Sequence, residues 1–254
     1  MNPSTPGTPG TPKAEFLDSV RRALGRLESQ PGPSIPAAEE VLRGLEAESE
    51  EIRQRAAGGG AALLNKLAKM ALLGGWKLYR APGPEEAIDY LCTLASSLGV
   101  RRVVRADQEV FRSALGGPVD AALRSLGLAV TVAAQGEGHS RESLRQEIIE
   151  AGLGITGADY AVAETGSVVI VPRKGLSRLV SLVPPVHVAL VRPQDVVETL
   201  DDLFCLRRLE YYRNGGDMGS YLNFITGPSR TADIEQTLVV GVHGPKEVHL
   251  VLLG

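Results

Sequence analysis

Residues 152–170 read GLGITGADYAVAETGSVVI. The first six letters fit G-x-G-x-x-G, the spacing that cradles a dinucleotide pyrophosphate. In such a site the glycines leave a strand and open a helix, so that the phosphates meet free N–H groups at the helix start. Here the order is reversed. A helical stretch, RESLRQEIIEAG at 141–152, precedes the glycines, and a strand, YAVAE at 160–164, follows them. Gly152 therefore reads as a helix C-cap glycine, and no acidic residue ends a strand about twenty positions on. The stretch marks a helix-to-strand junction, not a nucleotide site.

The same alternation extends outward in both directions. WKLYR (76–80), VRRVVRA (100–106) and LAVTVAA (128–134) read as strands, separated by helical stretches such as PEEAIDYLCTLASSLG (84–99). Beyond the opening stretch come HVALVR (187–192), PQDVVETLDDLF (193–204), YLNFIT (221–226) and EVHLVLL (247–253). Strands separated by helices of about ten to sixteen residues imply βαβ units. SVVIV (167–171) and HVALV (187–191) are apolar at consecutive positions, as strands covered on both faces should be. The predicted fold class is α/β: an open, mostly parallel sheet with helices on both faces, in Rossmann-like layers.

Upstream the pattern differs. MNPSTPGTPGTP places proline at 3, 6, 9 and 12 and reads as a solvated, disordered tail over 1–12. Phe16, Leu17, Val20, Leu24 and Leu27 then fall on one helical stripe, QPGPSIP (30–36) interrupts the chain, and a charged helix runs from about Ala37 to Ala56. GGG at 58–60 is expected to end it. Residues 13–57 thus read as an N-terminal helical appendage and 58–254 as the α/β body.

Composition narrows the function. The 254 residues are 43% hydrophobic and 22% charged, with formal charge −3, which suits a globular chain with a core and not a nucleic-acid surface. No run approaches the roughly 18 apolar residues of a membrane span, and the start lacks a signal-peptide layout. Cys92 and Cys205 cannot by themselves hold an iron–sulfur cluster, which usually takes about four thiolates. The expectation is a cytoplasmic chain without metal or cluster of its own. His139, His187, His243 and His249 show no paired ligand spacing, and P-loop, HExxH and GxSxG motifs are absent from the sequence.

Two clusters remain. In the first, Glu164-Thr165-Gly166-Ser167 forms a turn between two strands. The carboxyl end of a strand in an open α/β sheet is where ligands bind. There Gly166 would let backbone approach a ligand, with Thr165 and Ser167 supplying hydroxyls; the structural alternative is a plain hairpin with Glu164 in solvent. In the second, TGPSRTADIEQTLVVGVHGP (226–245), the stretch ADIEQTLVV opens as a helix with Thr231 as N-cap. Gly227, Ser229, Arg230 and Thr231 would then surround a helix start, and the Arg230 fork suits a carboxylate or phosphate. Alternatively Arg230 pairs with Asp233 or Glu235. Glu164 and Asp233 are the candidate catalytic carboxylates. Both corners are expected at one rim of the sheet, offering a small acid a donor-rich seat.

With both clusters in view, the sequence resembles the lactate utilization protein C family, built on a LUD-type domain. The resemblance rests on ITGADYAVAETGSVVI (155–170), LVPPVHVALV (182–191) and FITGPSRTADIEQTLVVGVHGPKEVHLVLL (224–253), with residues 60–150 fitting more loosely. It implies a LUD-type domain over 58–254 and a fold like that of sugar-phosphate isomerases, coenzyme A transferases and 5-formyltetrahydrofolate cyclo-ligases. It also implies a cytoplasmic protein needed for growth on L-lactate, acting with two partner proteins, some of them carrying iron–sulfur clusters, that convert lactate to pyruvate. It supplies no family-wide catalytic residue.

Three functions stay open. One is an accessory or substrate-handling subunit of a lactate-oxidising system, with Arg230 holding the carboxylate. Another is an acyl or coenzyme A transferase-like enzyme that uses the Glu164 carboxylate as nucleophile. The last is a non-catalytic module that senses a metabolite or scaffolds its partners.

Overall fold

The computed structural model describes residues 13–25, 38–134, 140–172, 178–216, 219, 221–234 and 237–254. The expected tail at 1–12 lies outside them, as do His139 and Glu235. The chain divides into two compact units, residues 1–41 and 42–254. The first contains α1 (Lys13–Ala23), a short helix with an Arg21–Asp18 ion pair and with Phe16 and Val20 exposed.

The helix α2 (Ala38–Gly74) is 37 residues long. The break expected at GGG does not occur. Gly58, Gly59 and Gly60 lie inside the helix, and a Cβ at any of them would meet nothing within 4 Å. Glycine there weakens the helix, by about 1 kcal/mol per residue relative to alanine. Burial on either side overrides that cost: Leu45 and Ile52 before the glycines and Leu67, Ala68 and Ala71 after them are buried. From Leu42 onward α2 lies in the second compact unit.

The body continues with β1 (Lys77–Ala81), α3 (Pro84–Ser97), β2 (Arg102–Ala106), α4 (Gly116–Ser125), β3 (Ala129–Ala133), α5 (Arg141–Glu150) and β4 (Leu153–Gly157). A single π-helical turn, Phe111–Leu115, leads into α4. Next come β5 (Tyr160–Val162), β6 (Ser167–Ile170), α6 (Leu179–Leu182), β7 (Val186–Val191), β8 (Val196–Val197) and α7 (Leu200–Arg213). The last strands are β9 (Asn223–Ile225), β10 (Arg230–Ile234), β11 (Thr237–Val240) and β12 (Glu247–Leu253).

Six strands form one sheet in the order β1-β12-β7-β4-β2-β3, every pair parallel. A second sheet of four strands runs β8-β5-β6-β9, and β10 and β11 make a separate antiparallel hairpin. Alternation along β7 explains its unbroken apolar run. Val186, Val188 and Leu190 join the core under α3 and α4, while Ala189 and Val191 join the core under α2 and the small sheet. All six β7 residues are buried, as expected of a strand covered on both faces.

The glycine stretch that opened the sequence reading proves to be a strand. β4 runs through LGITG in the middle of the large sheet. Gly152 is not a cap glycine: Ala151 ends α5 in extended conformation, and a Cβ on Gly152 would lie 2.5 Å from Val100 Cγ1. At Gly154 a Cβ would overlap the Val180 carbonyl oxygen of α6, and at Gly157 it would lie 2.7 Å from Val110 Cγ1. Each glycine of the spacing is explained by close packing.

Candidate functional site

The first corner is the turn Ala163–Gly166 between β5 and β6, an antiparallel hairpin in the small sheet. It does not stand at a carboxyl end of the large parallel sheet. Gly166 adopts φ 68°, which favours glycine. A Cβ there would come within 2.5 Å of the Met70 carbonyl carbon. What Gly166 admits is the backbone of α2, not a ligand. Glu164 is not left in solvent either: its Oε1 accepts from the Leu200 N–H at 2.8 Å, at the start of α7. That adds a carboxylate to a helix start where Thr199 and Asp202 already form a capping box.

Thr165 donates its hydroxyl to Ser167 Oγ at 2.9 Å, and Ser167 Oγ and Thr226 Oγ1 share a hydrogen bond of 2.8 Å. This hydroxyl chain joins the first corner to the second. Thr226 and Gly227 press in turn on the end of α2. A Cβ at Gly74 would overlap the Thr226 carbonyl oxygen, and one at Gly227 would overlap the Gly74 carbonyl oxygen. Gly75, at φ 96°, closes α2: its N–H reaches the Leu72 carbonyl, and the Trp76 N–H reaches that of Ala71. This is the Schellman pattern of a glycine helix end. Gly74 and Gly75 were not singled out in the sequence; the available signal was a glycine pair directly after a helical apolar run.

The second corner lacks the expected helix. Arg230 opens β10, pairs with Val240 of β11, and Thr231 pairs with Val239. β-Branched Thr231, Ile234, Thr237, Val239 and Val240 favour a pleated hairpin over a helix start, so no helix dipole operates at Thr231. Ser229 is tied down through backbone: its N–H donates to the Pro245 carbonyl, its carbonyl accepts from Gly241, and its Oγ accepts from the His243 N–H. The Arg230 guanidinium lies against Gly75, where a Cβ would overlap it. Arg230 is exposed and makes no ion pair with a described residue. Asp233 sits on β10, and its side chain lies outside what is described.

These corners stand at the amino ends of the parallel strands. Gly75 precedes β1, and Pro245, bonded to Ser229, precedes β12. The first corner thus stands at the edge opposite the carboxyl end expected from the sequence. Just behind, Trp76 stands 6.3 Å from His187 of β7. Among the described residues, Trp76 Nε1 and His187 Nδ1 are buried without a hydrogen-bond partner, while His187 Nε2 meets Thr156 Oγ1 at 2.8 Å. Burial, with a smaller push from His249, drives His187 down to about 3, so it is neutral. His249 is bridged between Tyr90 (2.6 Å) and Glu247 (2.7 Å), and His243 is exposed; the two make no ligand pair.

Among the described residues, no group of three or more His, Cys, Asp or Glu is arranged to hold a metal ion, and no helix is long and apolar enough to cross a membrane. Both cysteines are free thiols. A cavity of about 170 Å³ lies between α2 and the start of α7. Its charges are matched, Arg55 with Asp202 at 2.6 Å and Lys66 with Glu198 at 3.0 Å.

A six-stranded parallel sheet with helices on both faces, a second sheet packed through α2, and a glycine-lined corner at the strands' amino ends define an α/β domain. The chain belongs to the LUD domain family, whose model matches residues 64–253. It is 42% identical over 105 residues to a lactate utilization protein C of Halalkalibacterium halodurans, covering 41% of this chain and 45% of that protein. The corresponding protein of Bacillus subtilis is 39% identical over 104 residues, 41% of this chain and 43% of the relative. A lactate utilization protein B of Shouchella clausii is 36% identical over 115 residues, 45% of this chain and 22% of the relative. The match thus spans less than half the length of these relatives. A crystal structure of a DUF162 family protein from Deinococcus radiodurans shares the fold. It is 22% identical, with TM-score 0.50, and the match covers 77% of this chain and 98% of that one.

Proposed function

We propose that the chain is an accessory, cytoplasmic subunit of an L-lactate utilization system that binds a small carboxylate at Arg230. It would work beside partner proteins that carry iron–sulfur clusters and perform the electron transfer. The observation that carries this reading is the state of Arg230. Its guanidinium is exposed, rests on a glycine surface, has no ion pair among the described residues, and belongs to a corner tied to Thr226 and Ser167. A planar fork of five donors suits a carboxylate bidentately. The lactate utilization names of the relatives supply the substrate class.

The transferase reading loses support because one oxygen of Glu164 accepts from the Leu200 N–H. Asp233 stays a candidate acid or base only through its place on the same hairpin. Calorimetry with L-lactate and pyruvate tests the proposal. Arg230→Ala should weaken binding about tenfold or more, since hydrogen bonds to charged groups contribute about 1.5–3 kcal/mol. Equal heats from both proteins would reject it.

A further inference from the structure

The Arg230 corner lies at the amino ends of the strands, which leaves the opposite edge of the sheet unused. There a cavity of about 210 Å³ opens beside the carboxyl ends of β1, β12 and β7. Its walls include Gly83 and Pro84 after β1, Leu253 at the end of β12, and Arg192 directly after β7. The chain leaves β1 toward α3, on the face that α3 and α4 cover. It leaves β7 toward β8, in the small sheet on the opposite face. The cavity therefore sits at a topological switch point, outside the carboxyl ends of strands that send their connections to opposite faces. Open α/β sheets bind their ligands at such points.

The lining has a definite chemistry. Among the described residues that line it, Arg192 is the one charged side chain and none is Asp or Glu, and Gly254, the last residue of the sequence, adds backbone. Val110, Leu115 and Leu253 supply an apolar wall, and Ser113 adds a hydroxyl. The guanidinium is held, not used up. Asp195 takes Nε at 2.7 Å and Nη2 at 2.9 Å, both on one edge of the fork, which leaves Nη1 and its outer edge among the five donors. Asp195 thereby acts as a positioning residue, fixing the fork on the short 3-10 turn Pro193–Asp195. The π-helical turn Phe111–Leu115 forms part of the wall, and π-turns occur frequently at functional sites.

We infer that this switch-point cavity is a second binding site, for a small metabolite with one anionic head, carboxylate or phosphate, and a short apolar body. The head meets Arg192 and the body lies on Val110, Leu115 and Leu253. The volume is below the roughly 300–1,000 Å³ of drug-sized sites, so the occupant is a small acid or the anionic end of a larger molecule. The site is separate from the Arg230 corner and does not depend on it.

The experiment uses the full chain carrying Arg230→Ala, which removes the first site, labelled with nitrogen-15 and titrated into the millimolar range with pyruvate and, separately, with inorganic phosphate. Saturable shifts are expected at Gly83, Ser113 and Arg192, with either probe identifying the head group. Ser113→Phe fills the cavity without touching the Arg192–Asp195 pair, and Arg192→Lys keeps charge while losing the fork. Each should weaken the response about tenfold or more, the loss expected for charge-assisted hydrogen bonds. Absence of saturable shifts with both probes, or shifts that survive Ser113→Phe unchanged, would overturn the assignment. Because the host lacks the Arg230 guanidinium, failure of the first site cannot be mistaken for failure of the second.

Discussion

Ser167 and Thr226, 59 residues apart in sequence, share a hydrogen bond of 2.8 Å between side-chain oxygens. Ser167 is 3% exposed and also accepts from Thr165. A serine in that position ties the β5–β6 turn to the corner that leads into β10. Through Thr226 and Gly227 the link extends to the glycine end of α2.

Ser167→Ala removes both bonds and leaves the Thr165 hydroxyl without its acceptor. The expected cost is about 0.5–1.5 kcal/mol, the net worth of a typical hydrogen bond, because the half-buried Thr165 and exposed Thr226 hydroxyls can turn to water. In a double-mutant cycle with Thr226→Ala the coupling should be about 0.5–1.5 kcal/mol. Urea unfolding of the four proteins measures it. A coupling of zero would mean that the two corners are not joined energetically.

Glycine substitutions should have opposite signs at two places on or against α2. Gly58 is exposed inside the helix with open space around its missing Cβ, so Gly58→Ala should stabilise by about 0.5–1 kcal/mol. Gly166 has positive φ and faces the Met70–Ala71 backbone at distances no Cβ tolerates. Gly166→Ala should destabilise by at least about 1–3 kcal/mol, from strain alone. Thermal melts of the two variants decide it, and a stabilising Gly166→Ala would contradict the packing of α2 on that turn.

Stability should fall in mild acid because of His187. Its native value is near 3, pushed down by burial and then by His249, against 6.5 when free. Between those values the unfolded chain binds more protons than the native one, so stability drops as pH falls from about 6.5 toward 3 and is unaffected above. His249, lowered mainly by its own burial, acts in the same direction, whereas Glu247, held low by Lys77, adds its loss at more acid pH. Replacing His187 by Gln removes the largest of these shifts. The urea midpoint of that variant should change less than the parent's between pH 7 and pH 5. Parallel slopes would show that His187 is not buried neutral.

The parallel sheet was legible because its strands are covered on both faces. Runs such as Val186–Val191 have no polar face to disguise them. β4 was not legible, since Gly152, Gly154 and Gly157 look like a loop and only their neighbours Val100, Val180 and Val110 reveal why they are glycine. The continuity of α2 through Gly58–Gly60 was hidden for the converse reason, as tertiary burial of Leu45, Ile52 and Leu67 outweighs local propensity. At the candidate site, the nearness of the two corners could be read from glycines and hydroxyls. Their place at the amino edge could not, because it depends on β5 and β6 joining a second sheet. The hairpin at Arg230 differs from the helix expected there because Thr231 fits an N-cap as well as it fits a strand.

Arg105 and Asp120 offer a test of the frame behind the carboxyl-edge cavity. The pair is bidentate, at 2.6 and 2.7 Å, and both residues are buried. The guanidinium also sits 5.1 Å from the Phe111 ring centroid, beneath the π-helical turn that carries Ser113 and Leu115 to the cavity. Removing one partner strands a buried charge, so Asp120→Ala should cost about 3–5 kcal/mol. Replacing both with apolar residues of similar size, Arg105→Met with Asp120→Leu, removes the charge with its counter-charge and should recover most of that loss. Denaturant titrations of the single and double variants give the comparison. If the single variant loses less than about 1 kcal/mol, the median worth of an exposed pair, the ion pair is reached by water and does not anchor the turn.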